Sequence, residues 1–267
     1  MEYKEFLKTT LPLMGLRWRR FNRTSIRKRV IDRMRQLNLQ TWSDYKNHVL
    51  ENEEERHLLT SMLTVTISRF WRNSSLFERL EKMWLPALLE AVAPEETVQI
   101  WSAGCASGEE PYSLLILWQE SFANSGRSLR LLASDSDSHC LKRARQARYP
   151  ASSFREMSLQ LRQKYFTNEK GTFSLRHNLS QKIEWFEHNL IWEPPPMNNN
   201  LIFCRNLVYT YFTDSLQEEI TRRFHQALVA GGFLVVGRKD LLPSGTEGLF
   251  RLMEHPIYQR VEVPELI

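Results

Sequence analysis

From Val98 onward the chain alternates short apolar runs with amphipathic stretches, and this alternation limits the fold more than any other feature. The apolar runs are Val98–Ala103, Leu129–Ser134, Leu201–Cys204 and Phe233–Val236. Helical spacing occupies Pro111–Gln119, Cys140–Ala147 and Ser215–Val229 between and around them. Strands separated by helices predict an α/β fold built on a mostly parallel, doubly wound sheet. The upstream stretch reads differently. Ile26, Val30, Met34 and Leu37 recur at helical spacing behind Thr24 and Ser25, which are read as its cap. Ser43 is read as the cap of a second helix carrying Tyr45, Val49 and Leu50, and a third runs from Glu53 to Leu63. Helices this short need one another's apolar faces. Residues 1–70 are therefore expected to form a small all-α domain, and residues 71–267 the α/β domain. Within the latter, Ser75 and Glu78 fit a capping box. The turn Asn168–Gly171, with β-prone Thr172–Leu175 and Lys182–Phe186, predicts a small antiparallel β insertion at 166–186.

Charge is distributed unevenly. Residues 1–50 hold twelve basic against four acidic side chains, a local charge of +8, which leaves −3 on the other 217 residues. Arg27, Arg29, Arg33 and Arg35 fall mostly off the apolar stripe of their helix. They are read as a docking face for an acidic partner, against the plain alternative of a solvated helix surface. No apolar run is long enough to span a bilayer, so no membrane insertion is expected. The cysteines Cys105, Cys140 and Cys204 are odd in number and widely spaced, which reads as buried thiols in a reducing cytoplasm. No metal-ligand spacing is present and no metal is expected.

The richest chemical signal is Gly104–Ser113, GCASGEEPYS, which follows a strand and opens a helix. In doubly wound sheets, ligands bind beyond the carboxyl ends of the strands, at such turns. Glu109 and Glu110 disfavour a phosphate there and favour a nucleoside with a neutral or cationic tail. The plain alternative is a helix start with solvated acids. Asp135 ends the next strand, where a carboxylate accepts hydrogen bonds from ribose hydroxyls, and Asp137 fits a helix cap. Arg205 and Asn206 follow a third strand and reach the rim of the same cleft, with Tyr209 and Tyr211 close behind.

Taken in order, Ser68–Arg72 (SRFWR), Gly104–Ser113, Ser134–Asp137 (SDSD), Glu187–Leu190 (EHNL) and Phe203–Asn206 (FCRN) resemble the chemotaxis receptor methyltransferase family, CheR. The resemblance covers essentially the whole chain. It implies a Rossmann-like domain that transfers a methyl group from S-adenosylmethionine (SAM) to receptor glutamates, leaving S-adenosylhomocysteine (SAH). It also implies a cofactor site made of Thr66, Ser68, Arg72, Gly104, Glu110, Asp135, Asn189, Leu190, Asn206 and Leu207. Glu110 and Asp135 would hold the amino-acid and ribose portions, in an order left open. Arg72 and Tyr211 would stand nearest the transferred methyl and the incoming carboxylate, with Tyr209 as the other candidate tyrosine. The β insertion is similar to one that docks a receptor-tail peptide in some members. The implied partner is an acidic helical region of a receptor or signalling protein, met by a monomer in the cytoplasm.

The chain departs from the family pattern in four places, one of them the shortness of the β insertion. Asn73 replaces an acid after the arginine, one residue is added between Asn206 and Tyr211, and Gly237–Asp240 reads GRKD instead of GHSE. Two other readings follow from the same residues. One is a methyltransferase acting on nucleic acid or another protein, although basicity confined to the N-terminus offers no long phosphate track. The other is a catalytically weak SAM-binding adaptor.

Overall fold

The structure, a computed structural model, describes residues 1–63 and 68–262, with only the backbone at 177–178. Four helices open the chain: α1 (Tyr3–Thr10), α2 (Thr24–Gln36), α3 (Trp42–Glu51) and α4 (Glu53–Leu63). Ile26, Val30 and Met34 form the buried stripe of α2, as their spacing predicts. The caps differ from expectation. Thr24 and Ser25 lie inside α2, whose N-cap is Arg23. Thr41, not Ser43, caps α3, because its hydroxyl both accepts the Asp44 amide at 3.2 Å and donates to the Asp44 carboxylate at 2.7 Å. That reciprocal pair satisfies an orphan helix donor that Ser43, one residue inside, is placed too late to reach.

The basic face also needs correction. Arg33 is committed to the buried carboxylate of Glu55, with Nη2 at 2.6 Å and Nε at 3.1 Å from its oxygens. The Tyr45 hydroxyl donates to the same carboxylate at 2.8 Å. Arg33 therefore joins α2 to α4 and is withdrawn from the docking face. Its exposed neighbours are Arg27, whose guanidinium lies 5.7 Å from the Tyr3 ring, Arg29, and Arg35, which pairs with Asp32 at 3.0 Å. Arg33→Ala strands Glu55 without its cation and is expected to cost about 3 kcal/mol of stability. A urea-denaturation midpoint equal to wild type would show the pair to be idle.

The link after α4 leads into α5 (Ser74–Arg79), a π-turn (Leu80–Trp84) and α6 (Leu85–Ala91). The expected Ser75–Glu78 capping box does not form, since α5 already starts at Ser74 behind Asn73. Next come β1 (Val98–Ala103), α7 (Glu109–Ser121), β2 (Leu129–Asp135), α8 (Ser138–Gln146), β3 (Arg148–Pro150), α9 (Leu159–Tyr165), β4 (Phe166–Glu169), β5 (Thr172–Leu175) and α10 (His177–Ser180). The chain closes with β6 (Ile183–Glu187), β7 (Asn199–Cys204), α11 (Val208–Tyr211), α12 (Asp214–Ala227), β8 (Leu228–Val236), β9 (Phe250–Glu254) and β10 (Ile257–Arg260). The main sheet has seven strands in the order β6-β2-β1-β7-β8-β10-β9. The first five are mutually parallel, and β10 and β9 add antiparallel.

Strand parity explains why this sheet is buried on both faces. In β1, β7 and β8, residues such as Ile100, Phe203 and Val235 point into a core shared with α5 to α7. Their neighbours Trp101, Ile202 and Leu234 point into a second core. That second core contains α12 and also Phe6, Leu7, Val30, Tyr45 and Leu63 of the opening helices. The opening helices thus cover one face of the sheet and do not form a bundle closed on itself.

The β insertion is a three-stranded antiparallel sheet in the order β3-β5-β4. Lys170 and Gly171, both left-handed at φ 50 and 86, form the two-residue turn of its hairpin. Its expected boundary was wrong at both ends. Arg148–Pro150 belongs to it, whereas Lys182–Phe186 supplies β6, the main sheet's edge strand, parallel to β2 from Leu131↔Ile183 to Asp135↔Glu187. β-prone alternation identifies a strand and not its partner. Pairing with β2 puts Ile183 into one core and Phe186 against the other. No described helix is long and apolar enough to cross a membrane.

Candidate cofactor and methyl-transfer site

At the carboxyl end of β1 the chain makes a turn that few side chains tolerate. Gly104 and Gly108 are left-handed at φ 77 and 92, and Ala106 lies at φ 50. The left-handed backbone favours glycine at 104, and a Cβ there would also push the tip of Leu207, whose Cδ2 would lie 2.3 Å away. The amides of Gly104 and Cys105 both donate to the Ser134 carbonyl at 2.9 Å. This fixes the turn to the end of β2.

The two acids that open α7 part ways. Glu110 folds back over β1, accepting from Ser102 Oγ at 2.8 Å and pairing with Arg205 Nη1 at 3.2 Å. Burial lowers the pKa of Arg205, and the Glu110 carboxylate opposes that shift. Glu109 turns to the far side, into the protein, where Ser153 Oγ donates to it at 3.2 Å. Burial raises its pKa, partly countered by hydrogen bonds. Only Glu110 lines the cleft.

Asp135 joins two loops. One carboxylate oxygen accepts the Ala106 amide at 2.8 Å and the other accepts the Asp137 amide at 3.0 Å. Burial raises its pKa, and these amides oppose the rise. Asp137 caps α8 by accepting the His139 and Cys140 amides. Beyond β6, Asn189 Oδ1 accepts the Ile191 amide at 3.0 Å and shapes the loop that carries Leu190 and Ile191. Arg223 supports that loop from α12 through the carbonyls of Leu190 and Ile191, at 3.2 Å each.

A single cleft is lined by Ser68, Arg72, Gly104, Glu110, Asp135, Asn189, Leu190, Asn206, Leu207 and Tyr211. These are all of the described residues expected in the cofactor and methyl-transfer sites. Thr66 lies outside the described residues. A glycine cradle, two carboxylates on separate strand ends and an apolar wall at Leu63, Leu190 and Ile191 fit the parts of SAM: ammonium, ribose and adenine. A family model, "CheR methyltransferase, SAM binding domain", matches residues 66–259. The chain belongs to the CheR methyltransferase family. Its members include the chemotaxis protein methyltransferase of Listeria monocytogenes, 29% identical over 90% of this chain and 89% of that protein. That of Salmonella typhimurium is 30% identical over 82% of this chain and 76% of its own length. An uncharacterized 104.1 kDa protein of Rhodobacter capsulatus is 27% identical over 82% of this chain, which spans 23% of that protein.

As a CheR-family methyltransferase the chain uses SAM, and its departures from the family pattern acquire a geometry. Tyr211 lines the cleft and stacks on Phe21 at 5.4 Å between ring centroids. The Tyr209 hydroxyl instead meets Thr221 on α12 at 3.1 Å, inside the core. Asp240, last residue of the GRKD stretch, is buried and accepts the Asn206 amide at 2.8 Å, the Gly237 amide at 2.9 Å and the Thr210 hydroxyl at 2.9 Å. It thereby holds Asn206 in its left-handed conformation at φ 55.

The sequence reading missed Asp240 and underrated Arg205, whose guanidinium also donates to the Arg72 carbonyl at 2.7 Å. It gave no hint of Leu16, Phe21, Thr60 or Leu63, which the opening helices and turns contribute to the cleft wall. Among the described residues, no three His, Cys, Asp or Glu side chains are grouped to hold a metal ion. All three cysteines are buried and none forms a disulfide.

Proposed function

We propose that this CheR-family chain methylates glutamate side chains of a chemoreceptor-like signalling protein. The observation that carries the proposal is Arg72, delivered by the link after the opening helices into the cleft that holds Glu110, Asp135 and Tyr211. SAM, when bound, supplies a methyl group activated by its sulfonium. A glutamate acceptor is already ionised at neutral pH, so the protein needs no general base to activate it. Its task is alignment and removal of water. Arg72 orients the acceptor carboxylate, and the stacked Tyr211–Phe21 pair walls that end of the cleft. Asp135, at the end of β2, takes the ribose hydroxyls, and Glu110 takes the amino-acid end. Asn189 and Leu190 border the adenine, while Asn206 and Leu207 border the sulfur.

In this reading the opening helices, residues 1–70, are the docking unit of a cytoplasmic monomer. The exposed Arg27, Arg29 and Arg35 of α2 meet an acidic helical region of the receptor. The test is incubation with methyl-labelled SAM and either a glutamate-rich receptor helical fragment or RNA. The expected product is labelled protein whose label is released as methanol by mild base, as a glutamyl ester requires. Label in RNA alone, or label on protein that resists base, would overturn the assignment.

A further inference from the structure

The segment that carries Arg72 is held in an unfavourable shape from outside. Trp71 and Asn73, on either side of Arg72, are both left-handed, at φ 54 and 68. That region is disfavoured for a bulky residue such as tryptophan and persists only where surrounding contacts impose it. Phe70 provides the anchor, fully buried among Tyr149, Phe154 and Phe166.

Four hydrogen bonds then fix the backbone one residue at a time. The Phe70 amide donates to the Ser153 carbonyl at 2.9 Å, and the Trp71 amide to Ser113 Oγ at 3.1 Å. Arg205 donates to the Arg72 carbonyl at 2.7 Å. The Asn73 amide donates to Glu156 Oε2 at 2.7 Å. Ser113, Ser153 and Arg205 are buried in the body of the domain. Glu156 differs, being a third exposed and reaching in from the loop after Phe154. Its other oxygen lies 3.9 Å from Arg69 Nη1, so one carboxylate touches the segment on both sides of Arg72.

We propose that Glu156 is a positioning residue for methyl transfer: it holds the left-handed backbone at Asn73 and thereby the aim of Arg72 into the cleft. At 2.7 Å the bond is short, and what it supplies is an acceptor oxygen at a fixed place, which a neutral carbonyl there also provides. Loss of that bond leaves the residue after Arg72 free to return to ordinary backbone, which displaces the guanidinium by a fraction of an ångström or more. Misplacements of that size reduce turnover steeply in aligned displacements. Asp135 hangs on another element, and Glu110 is tied to the segment only through Arg205, whose bond to the Arg72 carbonyl does not involve Glu156. The proposal rests on the reading that Arg72 orients the acceptor.

Two near-isosteric variants of this partly exposed side chain test it in the full chain, with SAM and the acceptor fragment. Glu156→Gln keeps a carbonyl oxygen within reach of the Asn73 amide, and its kcat is expected to stay within about threefold of wild type. Glu156→Asp keeps the charge but withdraws it by one methylene, and its kcat is expected to fall about tenfold or more. SAH affinity, measured by calorimetry, is expected to remain within about twofold in both. In an Arg72→Lys background the Asp substitution is expected to add little further loss, as two residues acting through one geometry do not multiply.

Wild-type turnover in Glu156→Asp overturns the proposal. So does a loss in Glu156→Gln equal to that in Glu156→Asp, which would assign the effect to charge. Parallel loss of SAH affinity, or full multiplication with Arg72→Lys, would show a general structural role and overturn it as well. Wild-type turnover in Arg72→Ala alone removes the role of Arg72 itself. That failure of the underlying reading is recognisable because it involves no change at residue 156.

Discussion

Arg72→Ala is expected to lower kcat about a hundredfold while leaving SAH affinity within about threefold of wild type. The asymmetry follows from what Arg72 touches. The cofactor carboxylates stand on α7 and at the end of β2, each fixed by its own hydrogen bonds to Ser102, Arg205, Ala106 and Asp137. Removing a guanidinium from the link leaves those bonds in place. What is lost is the cation that orients an incoming carboxylate, an interaction felt most when oxygen, carbon and sulfur are in line. Single-turnover rates with labelled SAM, beside calorimetric titration of SAH, read the two quantities separately. An unchanged turnover number would remove Arg72 from the mechanism. A proportional loss of SAH affinity would make it a cofactor ligand only.

The second large effect is expected at Asp135. In Asp135→Ala, SAH affinity is expected to fall about a hundredfold or more, because hydrogen bonds to an ionised acceptor contribute about 1.5–3 kcal/mol each. In the proposed arrangement two ribose hydroxyls would lose their acceptor at once. The amides of Ala106 and Asp137 lose theirs too, and the Ala106 amide belongs to the turn that approaches the cofactor. Asp135→Asn separates the two contributions. It keeps one oxygen for one of the amides and turns the other position into a donor, so its loss of affinity is expected to be large with less cost in thermal stability. SAH binding within threefold of wild type in both variants would place the ribose elsewhere.

The basis of these expectations is partly legible in the sequence, and the divide is physical. Gly104–Ser113 announces itself because its signals are local: a strand end, glycines at left-handed positions and a proline in the first helical turn. The alternation of strands and helices is legible for the same reason, whereas the order of the strands in the sheet is not. The commitment of Arg33 is not legible because its partner Glu55 lies on another helix, and charge spacing along one helix carries no record of the next. Lys182–Phe186 was given to the wrong sheet because a strand's alternation is indifferent to its neighbour. The contacts that set the aim of Arg72 come from Ser113, Ser153, Glu156 and Arg205, tens of residues downstream. No short motif encodes them. Tyr211 was separable from Tyr209 only once α12 placed Thr221 beside the latter.

The core shared by the opening helices and the sheet also dictates when this enzyme can finish folding. Leu16 bridges to Phe212, the Arg17 amide donates to the Tyr211 carbonyl and the Thr213 amide to the Gly15 carbonyl. Strands β7 and β8, whose Ile202 and Leu234 share a core with Phe6, Val30 and Leu63, lie far downstream of those residues in the chain. The part of the opening helices' apolar surface that faces the sheet therefore stays uncovered until those strands are made, and closing so long a loop carries an entropic cost that delays it further. During translation that surface stands open to chaperones, and a nascent chain halted before residue 200 is expected to present it as a binding surface that the finished enzyme lacks.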